Sequence, residues 1–392
     1  MHKFQQSDLL KRLPEQFFAK LAGRVQNLAA EGHDIINLGQ GNPDLPTPRH
    51  IVKELQDAAE NPKFHKYSPF PGYPFLKEAA AEFYKREYDV DVDPHTEVAV
   101  LFGAKTGLVE ISQCLLNAGD TALLPDPGYP DYMSGIAMAG AETELMPLRQ
   151  ENGFLPDYSE KSDATLDRAK LMFLNYPNNP TAGTADAAFF EETIQTAKKH
   201  DICVVHDFAY GSIGFDGKTP RSFLQTPGAK EVGVEMYTLS KTYNMAGWRV
   251  GFAVGNPSVI KALELIQDHM YVSLFGAIQK ASALALTGDQ TPVRELTATY
   301  ERRRNVFIQG LRDIGWDVPA PKGTFFSWLP VPKGYGTSEE FANLLIDRAH
   351  VVTAPGVGFG THGEGYLRAG LLASEERMME AVERIDKLNL FR

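Results

Sequence analysis

Seven short apolar runs, most of them separated by longer amphipathic stretches, constrain this chain's fold more than any other feature. They are VAVLF (98–102), TALLP (121–125), TELMPL (143–148), KLMFLN (170–175), ICVVHD (202–207), EMYTLS (235–240) and VGFAVG (250–255). Runs of this length, rich in Val, Leu and Phe, fit strands buried on both faces. GLVEISQCLLNAG (107–119) has helical spacing and ends on glycine, while AFFEETIQTAKKHD (188–201) carries acids early and lysines late, as a helix dipole favours. Such strand–helix alternation predicts an α/β fold with a mostly parallel sheet. The pattern changes near residue 286. TATYERRRNVFIQGLRDIG reads as a helix, GTFFSWLPV as a strand, and SEEFANLLIDRAH and SEERMMEAVERIDKLNL as helices, which predicts a smaller α+β domain. The expected division is 1–45 as an N-terminal arm and part of the small domain, 46–285 as the large domain and 286–392 as the small C-terminal domain. A chain of 392 residues, 43% hydrophobic, can fill two cores, since single cores stop growing near about 250–300 residues.

A net charge of −11 argues against a nucleic-acid or membrane-surface binder, so any anion must meet a local cationic site. The two cysteines, Cys114 and Cys203, each sit in an apolar run and form neither a disulfide framework nor a CxxC metal motif. The start, MHKFQQSDLLKRLPEQFF, lacks the apolar centre of a signal peptide, and no run approaches the roughly 18–20 apolar residues of a membrane span. A soluble, cytoplasmic protein without a metal is expected.

In an open parallel sheet, ligands sit beyond the carboxyl ends of the strands. Gly103-Ala104-Lys105-Thr106-Gly107 follows the first run and opens a helix, either as an anion nest of backbone N–H groups or as an ordinary turn. Tyr129, in the loop after the second, can stack on a flat ligand or be merely half-buried. Asn179 lies in a loop pinned by Pro177 and Pro180, where an asparagine binds a ligand or shapes a turn. Asp207 ends an apolar strand and needs a partner unless it caps a helix; Tyr210 follows three residues on. Ser240 and Lys241 close the sixth run, and Arg249 lies eight residues later. Singly, each has an ordinary structural reading. Jointly they fit one ligand with a phosphate, an aromatic ring whose nitrogen seeks a carboxylate, a phenolic oxygen and an aldehyde for lysine. That ligand is pyridoxal 5′-phosphate.

The motifs INLGQGNPDLPTP (36–48), KYSPFPGYPFLKEA (66–79), PDPGYPDY, NYPNNPT, HDFAYG, SKTYNMAGWRVG and GYLRAGL (365–371) resemble, in type and order, the class I/II aminotransferases, which are fold-type I pyridoxal-phosphate enzymes. The resemblance covers nearly the whole chain. It implies a mostly parallel seven-stranded sheet with helices on both faces, a homodimer with shared active sites, and ping-pong transfer of an amino group between an amino acid and a 2-keto acid. By the same resemblance, Lys241 bonds to the cofactor aldehyde and later moves the substrate's Cα proton. Asp207 pairs with the ring nitrogen, Asn179 and Tyr210 hold the phenolic oxygen, and Tyr129 stacks on the ring. The backbone of Ala104 and Lys105, with Ser240 and Arg249, holds the phosphate, and the partner subunit's Tyr67 reaches it too. Arg368 and Asn179 take the substrate's carboxylate, and Gly41 lets substrate approach the backbone.

LPEQFFAKLAGRV and LSKTYNMAGWRVGFAVGNPSVI are similar to the methionine-salvage members, which act on 2-keto-4-methylthiobutyrate, and GAKTG is similar to the LL-diaminopimelate aminotransferases. The family's usual Asn-Pro-Thr-Gly reads Asn179-Pro180-Thr181-Ala182, and Thr238 stands where many members carry Ser or Gly. Ala182 is expected to reshape its turn only slightly. No well-placed second arginine marks a dicarboxylate enzyme, and Phe17, Phe18, Tyr67 and Phe275 are candidates for an apolar side-chain pocket. Methionine-like or aromatic substrates are expected. An LL-diaminopimelate-type aminotransferase and a carbon–sulfur β-lyase on the same fold are the alternatives; the lyase shares the cofactor residues.

Overall fold

The computed structural model describes residues 2–14 and 17–391. Its strands are β1 (Ile36–Asn37), β2 (Val98–Leu101), β3 (Thr121–Asp126), β4 (Glu142–Pro147), β5 (Ala169–Asn175), β6 (Cys203–Asp207), β7 (Gly233–Thr238), β8 (Gly251–Gly255), β9 (Phe326–Pro330), β10 (Val351–Val352), β11 (Ala354–Pro355) and β12 (Tyr366–Gly370). The seven apolar runs become β2 to β8 and form one sheet in the order β2-β8-β7-β6-β5-β3-β4. Neighbours from β4 through β7 run parallel, and β8 alone is antiparallel to both of its neighbours.

Every residue of β2, β3, β7 and β8 is buried. Alternate residues point to opposite faces: Val98 and Val100 enter one hydrophobic cluster, Ala99 and Leu101 another, so the sheet is covered on both sides. Strand β4 departs from the expected two-sided burial. It is one of the sheet's two edge strands, with Glu142, Thr143 and Leu145 exposed and only Met146 buried, and its acids discourage pairing with a further strand.

The helix expected at 107–119 runs Ala104–Leu115, starting directly after Gly103 at φ 81°. The helix expected at 188–201 runs Ala187–His200; the Asp186 side chain accepts from the Phe189 N–H at its start, and Asp201 takes a left-handed φ of 54° at its end.

A third cluster joins helices Thr291–Asp313, Ser338–Ala349 and Glu375–Asp386 to the antiparallel sheet β11-β12-β9. Ile36 and Leu38 belong to it as well, because β1 pairs in parallel with β10. The loop after β1 is gripped by buried Arg303, which donates to both oxygens of Asp44 (3.0 and 2.8 Å) and to the Leu371 carbonyl (3.0 Å). Among the described residues no helix is long and apolar enough to cross a membrane, and no His/Cys/Asp/Glu group could hold a metal ion.

Candidate active site

A cavity of about 710 Å³ lies where the carboxyl ends of β3, β5, β6 and β7 face the smaller sheet, as the topology rule requires. At one end, Gly103 and the helix Ala104–Leu115 present backbone N–H groups beside Arg249. A Cβ at Gly103 would stand 2.7 Å from Arg249 Nη2, and one at Gly251 only 3.0 Å from the Ala104 nitrogen. The missing side chains are what let guanidinium and bare amides converge, which is an anion site. The Arg249 backbone is itself left-handed (φ 56°), and its Nη1 donates to the Ala246 carbonyl at 2.9 Å. Thr238 donates to Ser240 Oγ (2.9 Å) and accepts the Ser240 N–H (3.2 Å), so it caps the short helix Leu239–Thr242 and orients that serine. The Lys105 ammonium is paired with Asp131 at 3.0 Å, which leaves its backbone as the part available to an anion.

Asp207 closes the other side. Its Oδ2 accepts from the Tyr132 hydroxyl at 2.8 Å, while Oδ1 is buried without a partner. Burial raises its pKa to about 6, against the pull of the Tyr132 bond. An unpaired buried acceptor is costly, and a protonated ring nitrogen is a donor that would satisfy it. Lys241 donates to the Gly41 carbonyl at 3.0 Å. Burial, with nearby Arg368, lowers its pKa to about 8, while Asp207 acts in the opposite direction. Burial also raises the hydroxyl pKa of Tyr129 and Tyr210, and the Tyr210 ring packs edge-on against Phe325 (5.3 Å).

Arg368 projects from β12 into the cavity and is buried. It donates through Nη1 to Asn179 Oδ1 (2.8 Å) and through Nη2 to the Gly39 carbonyl (3.0 Å), while its buried Nε has no partner. Its guanidinium lies 4.0 Å from the Phe326 ring and 4.6 Å from Phe359. Burial lowers its pKa to about 10. Among the described residues, neither of these hydrogen bonds is to a carboxylate. A buried cation that lacks an anion yet is stacked on aromatic faces is poised for a planar carboxylate. A Cβ at Gly41 would lie 3.3 Å from Phe326 and 3.7 Å from Arg368 Nη2, so glycine keeps this corner open.

Gly41, Ala104, Lys105, Tyr129, Asn179, Asp207, Tyr210, Ser240, Lys241, Arg249 and Arg368 therefore all line one cavity. Tyr67 does not. It is 90% exposed, in a separate surface hollow with Lys63, Phe70 and Val272. The expected aromatic pocket needs correction within this chain. Phe18 lines the cavity, but Phe17 packs on Gly358 and Phe275 lies on the surface outside it. Ala182 adopts φ 57°, the region glycine favours, yet its N–H still bonds the Asn178 carbonyl (2.9 Å) and Asn179 still reaches Arg368.

Sequence reasoning missed Tyr132, Phe326, Phe359 and, beyond Phe18, the Leu21, Ala22 and Val25 side chains of the helix Phe17–Ala30. Tyr132 carried a faint signal, three residues after Tyr129 in PDPGYPDY. Phe326 and Phe359 carried none, because an aromatic in an apolar stretch reads as core.

The family model "Aminotransferase class I and II" matches residues 33–385. The chain belongs to the class I and II aminotransferases. As a member of that family it is an amino-group transferase of fold type I, and enzymes of this class work with pyridoxal 5′-phosphate. It is 64% identical over 389 residues to the L-glutamine--4-(methylsulfanyl)-2-oxobutanoate aminotransferase of Bacillus subtilis (strain 168), covering 99% of this chain and 98% of that one. It is 45% identical over 384 residues to the LL-diaminopimelate aminotransferase of Moorella thermoacetica, covering 98% of each. The substrate-bound structure of BacF from Bacillus subtilis superposes with a TM-score of 0.95 at 50% identity, covering 100% of this chain and 99% of that one.

Proposed function

We propose that this aminotransferase exchanges an amino group between an amino acid and a methionine-like 2-keto acid, 4-(methylsulfanyl)-2-oxobutanoate foremost, in two half-reactions. The observation that carries this reading is a single buried guanidinium at the carboxylate end of a cavity whose adjoining wall is apolar. The most similar of the relatives described above, named for that keto acid, supports the same choice. The LL-diaminopimelate alternative rests on a more distant one.

The residues fit pyridoxal 5′-phosphate: an unpaired buried carboxylate oxygen at Asp207, a glycine-lined anion cradle at Gly103, and a lysine whose charge burial disfavours. When bound, that group supplies the electron sink for a carbanion at the substrate's Cα. The Ala104 and Lys105 amides, Ser240 and Arg249 would hold its phosphate, Asp207 its ring nitrogen, Tyr210 and Asn179 its phenolic oxygen, and Tyr129 its face. Arg368, backed by Asn179, fixes the substrate carboxylate through a fork that a lysine could not reproduce. Lys241 Nζ, uncharged in a useful fraction near neutral pH, would serve as the base that takes the proton from the substrate's Cα. Residues 46–285 would form the cofactor-binding unit, and 1–45 with 286–392 the unit carrying Gly41 and Arg368. The cluster shared by Ile36, Leu38 and the C-terminal helices supports that division. A cytoplasmic homodimer, with the partner subunit's Tyr67 completing each phosphate site, accords with the exposure of Tyr67.

Steady-state rates over a panel of keto acids test the reading. 4-(Methylsulfanyl)-2-oxobutanoate should exceed 2-oxoglutarate and oxaloacetate in kcat/KM. A tenfold preference for a dicarboxylate, or pyruvate and thiol release from cystathionine without any keto acid as the dominant reaction, overturns it.

A further inference from the structure

His206 and Glu235 are wholly buried, and the chemistry proposed above uses neither. They stand on neighbouring strands, β6 and β7. Side chains alternate along β6, with Val204 in one apolar cluster and Val205 in the other. His206 therefore points away from the face on which Asp207 meets the cavity. Its ring packs among Phe190, Phe208 and Phe223, at 5.3, 5.2 and 6.2 Å, all members of the Val204 cluster. The β5–β6 ladder ends at the pair Asn175–Asp207. The next N–H, that of Tyr176, goes to His206 Nε2 at 3.2 Å. A peptide N–H can only donate, so Nε2 is the bare nitrogen and Nδ1 carries the hydrogen. Nδ1 donates it to Glu235 Oε2 at 2.7 Å. The Tyr84 hydroxyl (2.7 Å), the Ser222 hydroxyl (2.7 Å) and the Phe223 N–H (2.8 Å) bring the donors to two for each carboxylate oxygen. Surrounded in this way, Glu235 is an acceptor only, and it fixes the tautomer of His206.

We propose that His206, its tautomer set by Glu235, is a positioning residue for substrate binding: by taking the Tyr176 N–H from the opposite face of the sheet, it holds the following loop so that Asn179 meets Arg368. The inference rests on the reading of Arg368 as the carboxylate site and deepens it. The loop is tied at both of its near ends. Asn175 Oδ1 accepts the Asn179 N–H at 2.7 Å, while Asn175 Nδ2 donates to the Asp207 carbonyl at 2.7 Å. Tyr176 lies between Asn175 and Asn179, and His206 is the acceptor that receives its N–H. Without that acceptor the N–H would be a buried donor lacking a partner, and the loop would shift to satisfy it. Asn179 Oδ1 would then leave Arg368 Nη1, from which it accepts at 2.8 Å. A guanidinium fork meets a planar carboxylate only when its plane is held, and this contact is one of the two that hold it.

The test compares two amides in the holoenzyme. An asparagine reaches where Nδ1 stands and a glutamine where Nε2 stands. His206→Asn therefore keeps a donor for Glu235 and drops the Tyr176 N–H, whereas His206→Gln does the reverse. The probe is 4-(methylsulfanyl)butanoate, which has a carboxylate and a thioether but no amino or keto group, and its Kd is measured by calorimetry. His206→Asn should raise that Kd about tenfold, the scale of one well-placed hydrogen bond to a charged group. His206→Gln should restore most of the affinity, even where urea denaturation shows both variants to be destabilised alike. Asn179→Ala should raise the Kd by a similar factor, and adding His206→Asn to it should raise the Kd no further, since the two act through one contact. Hydrogen exchange in the unaltered enzyme needs no variant to fold: the Tyr176 amide should exchange more slowly once the probe binds. Additive losses for the two substitutions together, equal Kd values for His206→Asn and His206→Gln, or Tyr176 exchange indifferent to the probe would each overturn the positioning role. Arg368→Ala with an unchanged Kd would instead remove the carboxylate from this corner, which refutes the functional reading itself and the inference with it.

Discussion

Lys241 and Arg368 are two cations that line one cavity, and Arg368 weakens the charge of Lys241. For Lys241, burial is the larger cause and Arg368 the second, and the outcome is a pKa near 8 where an exposed lysine holds its proton to about 10.4. Raising the pH through 8 therefore frees the amine of Lys241 while surface lysines stay charged. In the cofactor-free protein, acylation of Lys241 followed by mass spectrometry should reach half its maximal rate near pH 8, and Arg368→Ala should move that midpoint upward. A midpoint shared with the surface lysines would contradict the burial argument. The linkage has a definite sign: between about pH 8 and 10.5 the unfolded chain binds a proton at this position that the folded chain does not, so Lys241 makes folding more favourable as pH rises across that window. Chemistry-bearing residues such as this lysine were legible because they sit just past apolar runs. Tyr132 was far less so, since its role passes through Asp207 and depends on a contact between the helix Asp131–Ala139 and the end of β6, which are distant in sequence.

At the scale of elements, legibility followed length. All seven runs of five or six residues were recognisable as strands, whereas two-residue β1 and β10 offer no periodicity and exist because the chain's two ends meet. That meeting is what brings Gly41 to Arg368, and it depends on Arg303 in the helix Thr291–Asp313 gripping Asp44 in the loop after β1. Arg303 is buried, with its carboxylate partner only partly exposed. Asp44→Ala would leave that guanidinium without its anion, a loss of about 3 kcal/mol for a broken buried pair. Urea denaturation should report it as a lower midpoint with an unchanged slope, and Asp44→Asn should fall between the two. A shift worth less than about 1 kcal/mol, typical of surface pairs, would show that the Leu371 carbonyl alone suffices for Arg303. Strand β4 shows the opposite limit: its composition reads as interior, yet it lies at an edge with only Met146 buried, whereas β2 at the other edge is covered throughout.

For the whole molecule, the large apolar side chains left outside include two groups away from the N-terminus, Tyr67 and Phe70 in one segment and Leu265, Met270 and Phe275 in another. These segments adjoin, since the Ser68 hydroxyl donates to the Leu274 carbonyl at 2.8 Å and Tyr67, Phe70 and Val272 share one hollow. Contiguous exposed apolar surface of this kind marks an interaction site, and a stable two-fold interface needs about 800 Å² from each copy. Each copy carries a net charge of −11, so the apolar contact has to outweigh mutual repulsion. Light scattering should therefore give twice the 43.3 kDa chain mass at physiological salt, with association tightening as salt screens the repulsion. Phe70→Asp together with Met270→Asp should return a 43.3 kDa species that has lost most of its transaminase activity. Tyr67→Phe should stay dimeric yet hold pyridoxal phosphate more weakly, which separates the fold of the interface from the hydroxyl it delivers. A fully active 43.3 kDa species from the unaltered chain would show that each site is complete within one copy and that Tyr67 serves no neighbour.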